Sequence, residues 1–551
     1  MHKSIKSHFS VYCIIISLLQ LSHLSCEKAT DPNLVEAEIC IYGGTAAGVT
    51  AAVQSARLGN KVVLIEPGNH VGGIAIDGLG GTDINNHQEF KNDGAVGGIA
   101  LEFYEKVAEH YGIENFSERR DEAAVWRFES SVADSIYRYW LAEYQVPVYY
   151  DAEIIFDRDA VEKSGARINQ IKLDNGLQVK AKYFIDASIE GDLIHYAGIT
   201  TNIGRESNAT YNETKNGIRG ENTFAQFQVN VDPYVIPGDS TSGVIPTIFD
   251  EPLGDPGSAD KRLQAYCFRV CLTQDSTNKV PISKPENYDP SQYEIYIRYA
   301  EAGGRIHIPG ANLPNGKTDF NGGGVLSHNL YGFSHDYPTG SKEERKEIYE
   351  YHKDFTQGLF YFLSNNSKVP VNVRERWSTW GLCKDEFVDN DHWPRKLYVR
   401  DARRMMSDYV ITEHHTKKVG PTPVPDPVGV AYWPPDVHHV RRIIKDGYAY
   451  NEGFVFGGNE WSPFGISYRA LVPKKAEAVN LITPTCPSSS HIAYGAIRIE
   501  WTFMVLGQSA ALAVDLALKN DMNIQDVPYS DLHQALISNQ QIIDAESLRE
   551  N

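Results

Sequence analysis

The 551-residue sequence predicts an α/β protein: a Rossmann-like nucleotide-binding domain interrupted by an inserted α+β domain. Three observations predict it. "EICIYGGTAAGVTAA" followed by "KVVLIE" reads as strand, glycine turn, helix and second strand. A glycine-rich run follows that second strand directly. A polar, turn-rich middle then separates this unit from an apolar, small-residue helix near the C-terminus.

The chain begins with an export pattern over residues 1–25. Lys3 and Lys6 precede the apolar run Val11–Leu21, which is short for a membrane span. "LSHLSC" ends in Cys26 and resembles a bacterial lipoprotein cleavage site, with His23 a poor fit three positions upstream. Lipidation at Cys26 is expected, with residues 26–36 as a tether. Cleavage by the ordinary signal peptidase and a buried N-terminal helix are the alternatives. No other run reads as a span, so the membrane is met through the lipid anchor only. The expected location is the cell or outer membrane, facing the periplasm or the cell surface.

"EICIY" has the unbroken apolar character of a buried parallel strand. Gly43 permits the tight turn, and Gly44, Thr45, Ala46 and Ala47 lead into a helix whose first N–H groups suit a pyrophosphate. Gly48 lets that helix approach the strand, and Gly59 stops it. Glu66 ends the second strand where an acid receives the adenosine ribose hydroxyls. Thr45 stands in place of the fingerprint's second glycine, and its hydroxyl is expected to donate to a phosphate.

Gly72, Gly73, Gly78, Gly80 and Gly81 follow where a nicotinamide dehydrogenase would enter another helix. Such a loop resembles the flavoprotein extension that wraps the flavin diphosphate and ring edge; a flexible surface loop is the alternative. Farther on, Asn175-Gly176 marks a hairpin turn. The strand "KYFIDA" then ends in Asp186, Ala187 and Ser188, which resemble the "DA[ST]" strand end that approaches the nucleotide in flavoproteins, and Asp186 and Ala187 are expected to contact the cofactor. In "CPSSSHIAYGAIRIEWTFMVLGQSAALAVDLALKN", Gly507, Gln508 and Ser509 interrupt an apolar run. A helix starting there directs N–H groups at the flavin pyrimidine oxygen. A plain core helix is the alternative.

The stretch from about 210 to 400 is rich in Tyr, Pro, Asn and Asp, and helical periodicity is weak outside 342–365. Aromatic rings with amides, acids and arginines suit a carbohydrate surface; ordinary loop composition is the alternative. A net charge of -19 argues against nucleic acid as partner. Cys40, Cys267, Cys271, Cys383 and Cys486 read as core packing. Beyond Cys267 and Cys271 no second cysteine or histidine pair has zinc spacing, so no metal is expected.

Several segments carry a family resemblance: "YGGTAAGVTAA", "VVLIEPGNHVGGIAIDGLGGTDI", "YFIDASIEGDL", "VDPYVIPGD", "PENYDPSQYE", "LYVRDARRM", "ISYRAL" and "SSSHIAYGAIRIEWTFMVLGQSAA". Together they resemble the FAD-dependent oxidoreductase family of secreted bacterial flavoproteins, some labelled xanthan lyase. The resemblance runs from about residue 36 to about 518. It implies FAD, a glutathione-reductase-type FAD-binding fold and an association with polysaccharide breakdown. Asp401 and Val437 depart from it, standing where a Glu and a small polar residue are expected. The implied layout is a first FAD-binding part at 37–215, a substrate or cap domain at 216–400, a second FAD-binding part at 401–520 and a tail at 521–551.

A flavin dehydrogenase needs a base for the hydroxyl proton while the cofactor accepts the hydride. His438, His439 and His491 are the candidates. Arg498, with Arg403, Arg404 and Arg469, suits a carboxylate or a developing anion. The expected function is oxidation of a carbohydrate-derived alcohol, from a small-molecule or oligosaccharide substrate, with an unidentified electron acceptor. A flavin-dependent reductase of an unsaturated acid and a non-catalytic glycan-binding lipoprotein are the alternatives. A polysaccharide lyase needs no flavin and leaves the βαβ unit unexplained.

Overall fold

The computed structural model describes residues 31–87, 90–222 and 224–549. The expected export segment and Cys26 lie outside the described residues.

A parallel sheet carries the nucleotide-side elements. β1 (Ile39–Tyr42), β2 (Val62–Ile65), β3 (Val148–Tyr149), β4 (Tyr183–Asp186) and β5 (Leu481–Ile482) stand in the order β5-β4-β1-β2-β3, all parallel. Every residue of β1, β2 and β4 is buried, which explains their unbroken apolar sequence. Tyr42 pairs with Ile65 on one side and Asp186 on the other, so the three strands end level. β5 returns from the far end of the chain to the edge of the same sheet.

α1 (Ala46–Arg57) joins β1 to β2, and Gly59 takes a left-handed φ of +84° just past its end. α2 (His491–Ile497) and α3 (Glu500–Lys519) follow β5. α3 crosses α1 closely: a Cβ on Gly507 would lie 2.3 Å from the Ala47 carbonyl oxygen. Gly507, Gln508 and Ser509 are therefore mid-helix, and the expected helix start at 507–509 is corrected to Glu500. Gln508 Nε2 donates to Gln54, and Ser509 Oγ donates to the Val428 carbonyl, so both lock helix packing. α3 also has the length and apolarity of a membrane span, against the reading that no later run does. It is a core helix, with 89% of its most apolar window buried.

Two further boundaries shift. Leu34–Glu36, assigned to the tether, is a strand paired in parallel with Gln178–Lys180. That strand also pairs with Arg167–Lys172 across the expected hairpin. The tail is docked: Tyr529–Ser538 is a helix with Leu532 and Leu536 buried, and Gln541 Nε2 donates to the Val505 carbonyl.

A second hydrophobic core gathers residues between Val231 and Leu397, together with Ala449. Its longest helix is Lys342–Asn365, started by a reciprocal Ser341/Glu344 capping box. Ala449 belongs to the hairpin Arg441–Lys445/Tyr448–Glu452, so this core reaches past residue 400. All five cysteines beyond Cys26 are buried and unbridged, as core packing requires. Cys271 lies beside Cys383, with their sulfurs 2.7 Å apart.

Candidate active site

The chain leaves β1 at Gly43, whose φ is +97°. A Cβ there would meet the Ser188 nitrogen at 2.5 Å, and one on Gly48 would sit 1.9 Å from the Gly43 oxygen. No side chain fits either position. Gly44 N–H donates to Glu66 Oε2 at 2.8 Å, tying the turn to the end of β2. Thr45 caps α1: Oγ1 accepts from Gly48 N–H at 3.2 Å and donates to the Ala187 carbonyl at 2.7 Å. Its single proton is therefore committed, and the expected donation to a phosphate is corrected. The first-turn N–H groups of Ala46 and Ala47 have no intrahelical acceptor and suit the pyrophosphate.

Glu66 is buried. Its Oε1 accepts from Gly68 N–H and from Lys396 Nζ, both at 2.8 Å. It lines a cavity of about 360 Å³ together with Gly43, Thr45 and Gly73. Gly72 donates to the Gly44 carbonyl at 2.6 Å and Gly73 follows at φ +59°, which folds the glycine loop over the start of α1. Gly78 and Gly80 answer to protein backbone instead. A Cβ on either would strike the Arg269 or the Phe128 carbonyl within 2 Å.

Asp186 does not face the cavity. Oδ1 accepts from the Ser188 N–H and hydroxyl, Oδ2 from Ile194 N–H. Burial pushes its carboxyl up to about 7, against these hydrogen bonds. It builds the turn after β4, and Ala187 backs the glycine turn. Their expected cofactor contact passes to Ser188, Ile189 and Glu190, which line the cavity.

The same cavity is bounded by Tyr398, Arg400, Arg498 and Glu500. Arg498 Nη1 donates to the Tyr398 hydroxyl at 3.1 Å and Nη2 to the Asp436 carbonyl at 2.7 Å. The guanidinium carbons of Arg400 and Arg269 lie 4.8 and 5.1 Å from the Tyr398 ring centre. His438 stands behind this wall, with Nε2 3.8 Å from Asp436 Oδ1. Burial, then Arg400 and Arg498, lower its basicity well below the usual value, so the ring is neutral. Burial raises Glu500 to about 8 against the pull of Arg269, so its carboxyl is protonated at neutral pH.

The other candidates do not line the cavity. His491 is buried at the start of α2, with neither ring nitrogen hydrogen-bonded and Nδ1 3.4 Å from Asp401 Oδ2. Burial, then Arg442, bring His439 down to about 3, and its Nε2 meets Asn222. Arg403 pairs with Asp192 and Arg404 with Glu206, both buried. Arg469 pairs with Asp426 near the surface. Arg498 lines the cavity and is joined to His438 through Asp436, while neither His438 nor His491 lines it.

Sequence reading missed Lys396, Tyr398, Arg400 and Glu500. Tyr398 and Arg400 sit inside the quoted "LYVRDARRM", but nothing local marks them over Arg403 and Arg404. Glu500 stands as a lone acid at the head of an apolar helix, a usable signal.

The turn, the Glu66 carboxylate, the free first-turn N–H groups and the cavity fit a flavin dinucleotide, and define a dinucleotide-binding flavoprotein. The chain belongs to the FAD dependent oxidoreductase family, whose model matches residues 38–536. It is an FAD-dependent oxidoreductase on a Rossmann-like FAD-binding fold. Comparison with curated proteins gives no match. Solved structures with partial likeness include L-proline dehydrogenase from P. horikoshii. It shares 16% identity over 31% of this chain and 58% of its own, with a TM-score of 0.24. A flavoprotein/dehydrogenase from Cytophaga hutchinsonii shares 17% over 30% and 42%, at 0.22. T. acidophilum thioredoxin reductase shares 17% over 34% and 39%, at 0.17. This chain thus spans less than two thirds of each of those proteins, and at such scores they add nothing to the family assignment.

Proposed function

We propose that the protein oxidises a carbohydrate-derived alcohol by hydride transfer to FAD, with His438 taking the hydroxyl proton. FAD supplies the hydride acceptor when bound. The carrying observation is geometric: one cavity is lined by Gly43, Thr45, Glu66, Tyr398, Arg400 and Arg498, and Asp436 joins Arg498 to His438. A neutral imidazole has a lone pair to offer, and Asp436 at 3.8 Å is the countercharge once the proton is held. Tyr398 and Arg498 orient the oxygen end of the substrate. Phe224, 58% exposed, stacks on Phe454, whose ring centre is 6.0 Å from that of His438. That exposed ring suits the apolar face of a sugar. The segment 216–400 is the inserted substrate domain in this reading.

A second reading, reduction of an unsaturated acid, is favoured by Arg498 alone, as anion clamp and proton donor. Anaerobic flavin bleaching separates the two: sugars and alditols bleach the oxidised protein in the first, and only pre-reduced protein reacts, with an enoate, in the second. The same reading places the protein in polysaccharide degradation, exported and lipid-anchored through Cys26. Cys26→Ala then releases it from the membrane fraction or leaves it unprocessed, and unchanged fractionation and mass remove the anchor.

A further inference from the structure

We propose that the substrate carries a carboxylate, seated against Arg400 and Arg498 beside the Tyr398 hydroxyl, so that the oxidised alcohol belongs to an acidic sugar of the uronate class. The sugar assignment rests on the function proposed above; the anion site does not.

Both guanidiniums are buried and line the cavity. A buried cation is costly unless a countercharge meets it. Elsewhere this chain supplies one. Arg205, Arg269, Arg345, Arg403, Arg404 and Arg441 each contact a carboxylate. Arg400 instead donates to the Ala265 carbonyl, to Asn321 Oδ1 at 2.9 Å and to Cys267 Sγ at 3.3 Å. Arg498 donates to the Tyr398 hydroxyl and the Asp436 carbonyl, and its carboxylate neighbour, Asp436 at 3.8 Å, is shared with His438. The Nε atoms of both have no partner. Arg442 also lacks a carboxylate, but it does not line the cavity.

Neighbouring groups feel both guanidinium charges, and Asp436 and Asp401 offset that of Arg498 only from a distance. Burial raises the Cys267 thiol, yet Arg400 and His328 outweigh it and bring it down to about 6. His438 is held neutral by burial and the same two arginines. Glu500, the carboxyl nearest the head of α3 on this cavity, is protonated up to about pH 8 and so cancels nothing at neutral pH. Its carboxyl makes no hydrogen bond among the described residues. A planar anion between two guanidiniums and a phenol supplies the missing charge, and the guanidinium fork matches carboxylate geometry.

The test uses oxidised FAD-loaded protein, titrated with glucuronate, galacturonate and mannuronate and with their parent sugars, reading the flavin difference spectrum. At least one acid is expected to bind roughly 10-fold more tightly than its parent, as a charge-assisted pair implies. Acetate should compete with it. Arg400→Gln and Arg498→Gln should erase the preference while the flavin absorbance ratio stays at the wild-type value. If these variants lose FAD, competition by acetate in the wild type still decides. No acid exceeding its parent, or no competition by acetate, overturns the proposal. Bleaching under the same conditions separates the two readings. An acid that binds preferentially without any hydroxy compound bleaching the flavin keeps the anion site and removes alcohol oxidation. Neutral sugars that bleach the flavin and bind as tightly as the acids do the reverse.

Discussion

Lys396 Nζ lies 2.8 Å from Glu66 Oε1, joining residues 330 positions apart at the wall of the cavity. Burial lowers the lysine's basicity, but Glu66 outweighs it and holds the ammonium above its ordinary value. The pair links the end of β2 to the segment that closes the cavity. Lys396→Met is expected to weaken FAD binding by roughly 10-fold, the scale of one charge-assisted hydrogen bond. Glu66→Gln should weaken it further, because Glu66 also holds Gly44 N–H. Calorimetric titration of apoprotein with FAD measures both. Tighter binding in Lys396→Met would show that the lysine competes with the ribose for Glu66.

Gly48→Val should abolish FAD binding, since even a Cβ meets the Gly43 oxygen at 1.9 Å. Gly59→Ala is the control, because nothing lies within 4 Å of its Cβ and only the left-handed φ resists. That control should keep its flavin at a stability cost of about 1 kcal/mol. A yellow, stoichiometric Gly48→Val would refute the turn geometry.

Thr45→Ala discriminates between cap and phosphate ligand. As a cap, its loss lowers stability by about 1 kcal/mol and leaves FAD affinity within a few-fold. Thr45→Ser should restore the melting temperature. A large loss of FAD affinity with unchanged melting would return the hydroxyl to the phosphate.

The nucleotide half was legible because local sequence and local structure agree there. β1, α1 and β2 need only an apolar run, a glycine turn and a terminal acid, all contiguous. The cavity wall was not legible, because its members are brought together by tertiary packing. Tyr398, Arg498 and His438 come from separate segments, and Arg400 differs from Arg403 and Arg404 only in what it meets. Gly507 misled for a related reason: a glycine inside an apolar helix marks a close crossing as readily as a helix start, and here α1 is what it meets. Asp186 misled because its position at a strand end is right while its oxygens are already used.

Glu500 makes stability depend on pH. Burial raises its carboxyl from 4.5 to about 8. Between those values the folded state holds a proton that the unfolded chain releases. Stability is therefore highest below the lower value and falls as pH rises, by up to about 1.4 kcal/mol per unit within the window. Asp186, raised to about 7, and Asp83, raised to about 6, act in the same direction, while the buried neutral His438 and His439 act against it, so the wild type alone does not isolate Glu500. Glu500→Gln should make the slope of the apoprotein melting temperature between pH 5 and 8 less negative than in the wild type, leaving the share of those other groups. Identical slopes in variant and wild type would mean that Glu500 ionises normally.

The two histidines compete for one role, and their surroundings predict different failures. His438 stands behind Arg498 and Asp436, neutral and partly exposed. His438→Ala should keep FAD and slow substrate-driven flavin reduction by roughly 10²–10⁴-fold, the range for loss of a general base. The deficit should shrink as pH rises, because hydroxide and the ionised substrate take over the proton transfer. His491 is buried against Asp401, and its N–H caps the Glu206 carboxylate through the backbone, which no side-chain change removes. His491→Ala should therefore lower the melting temperature or the flavin content, while the folded, flavin-loaded fraction reduces at the normal rate. His491→Asn should recover much of that stability, because it keeps a polar group toward Asp401. Rapid-mixing reduction traces normalised to bound flavin distinguish the two cases. Full-speed reduction in both His438→Ala and His491→Ala would move the base from histidine to the carboxyls around Arg269. Asp83 is the first to try there: burial, against Arg269, raises it to about 6, within reach of neutral pH.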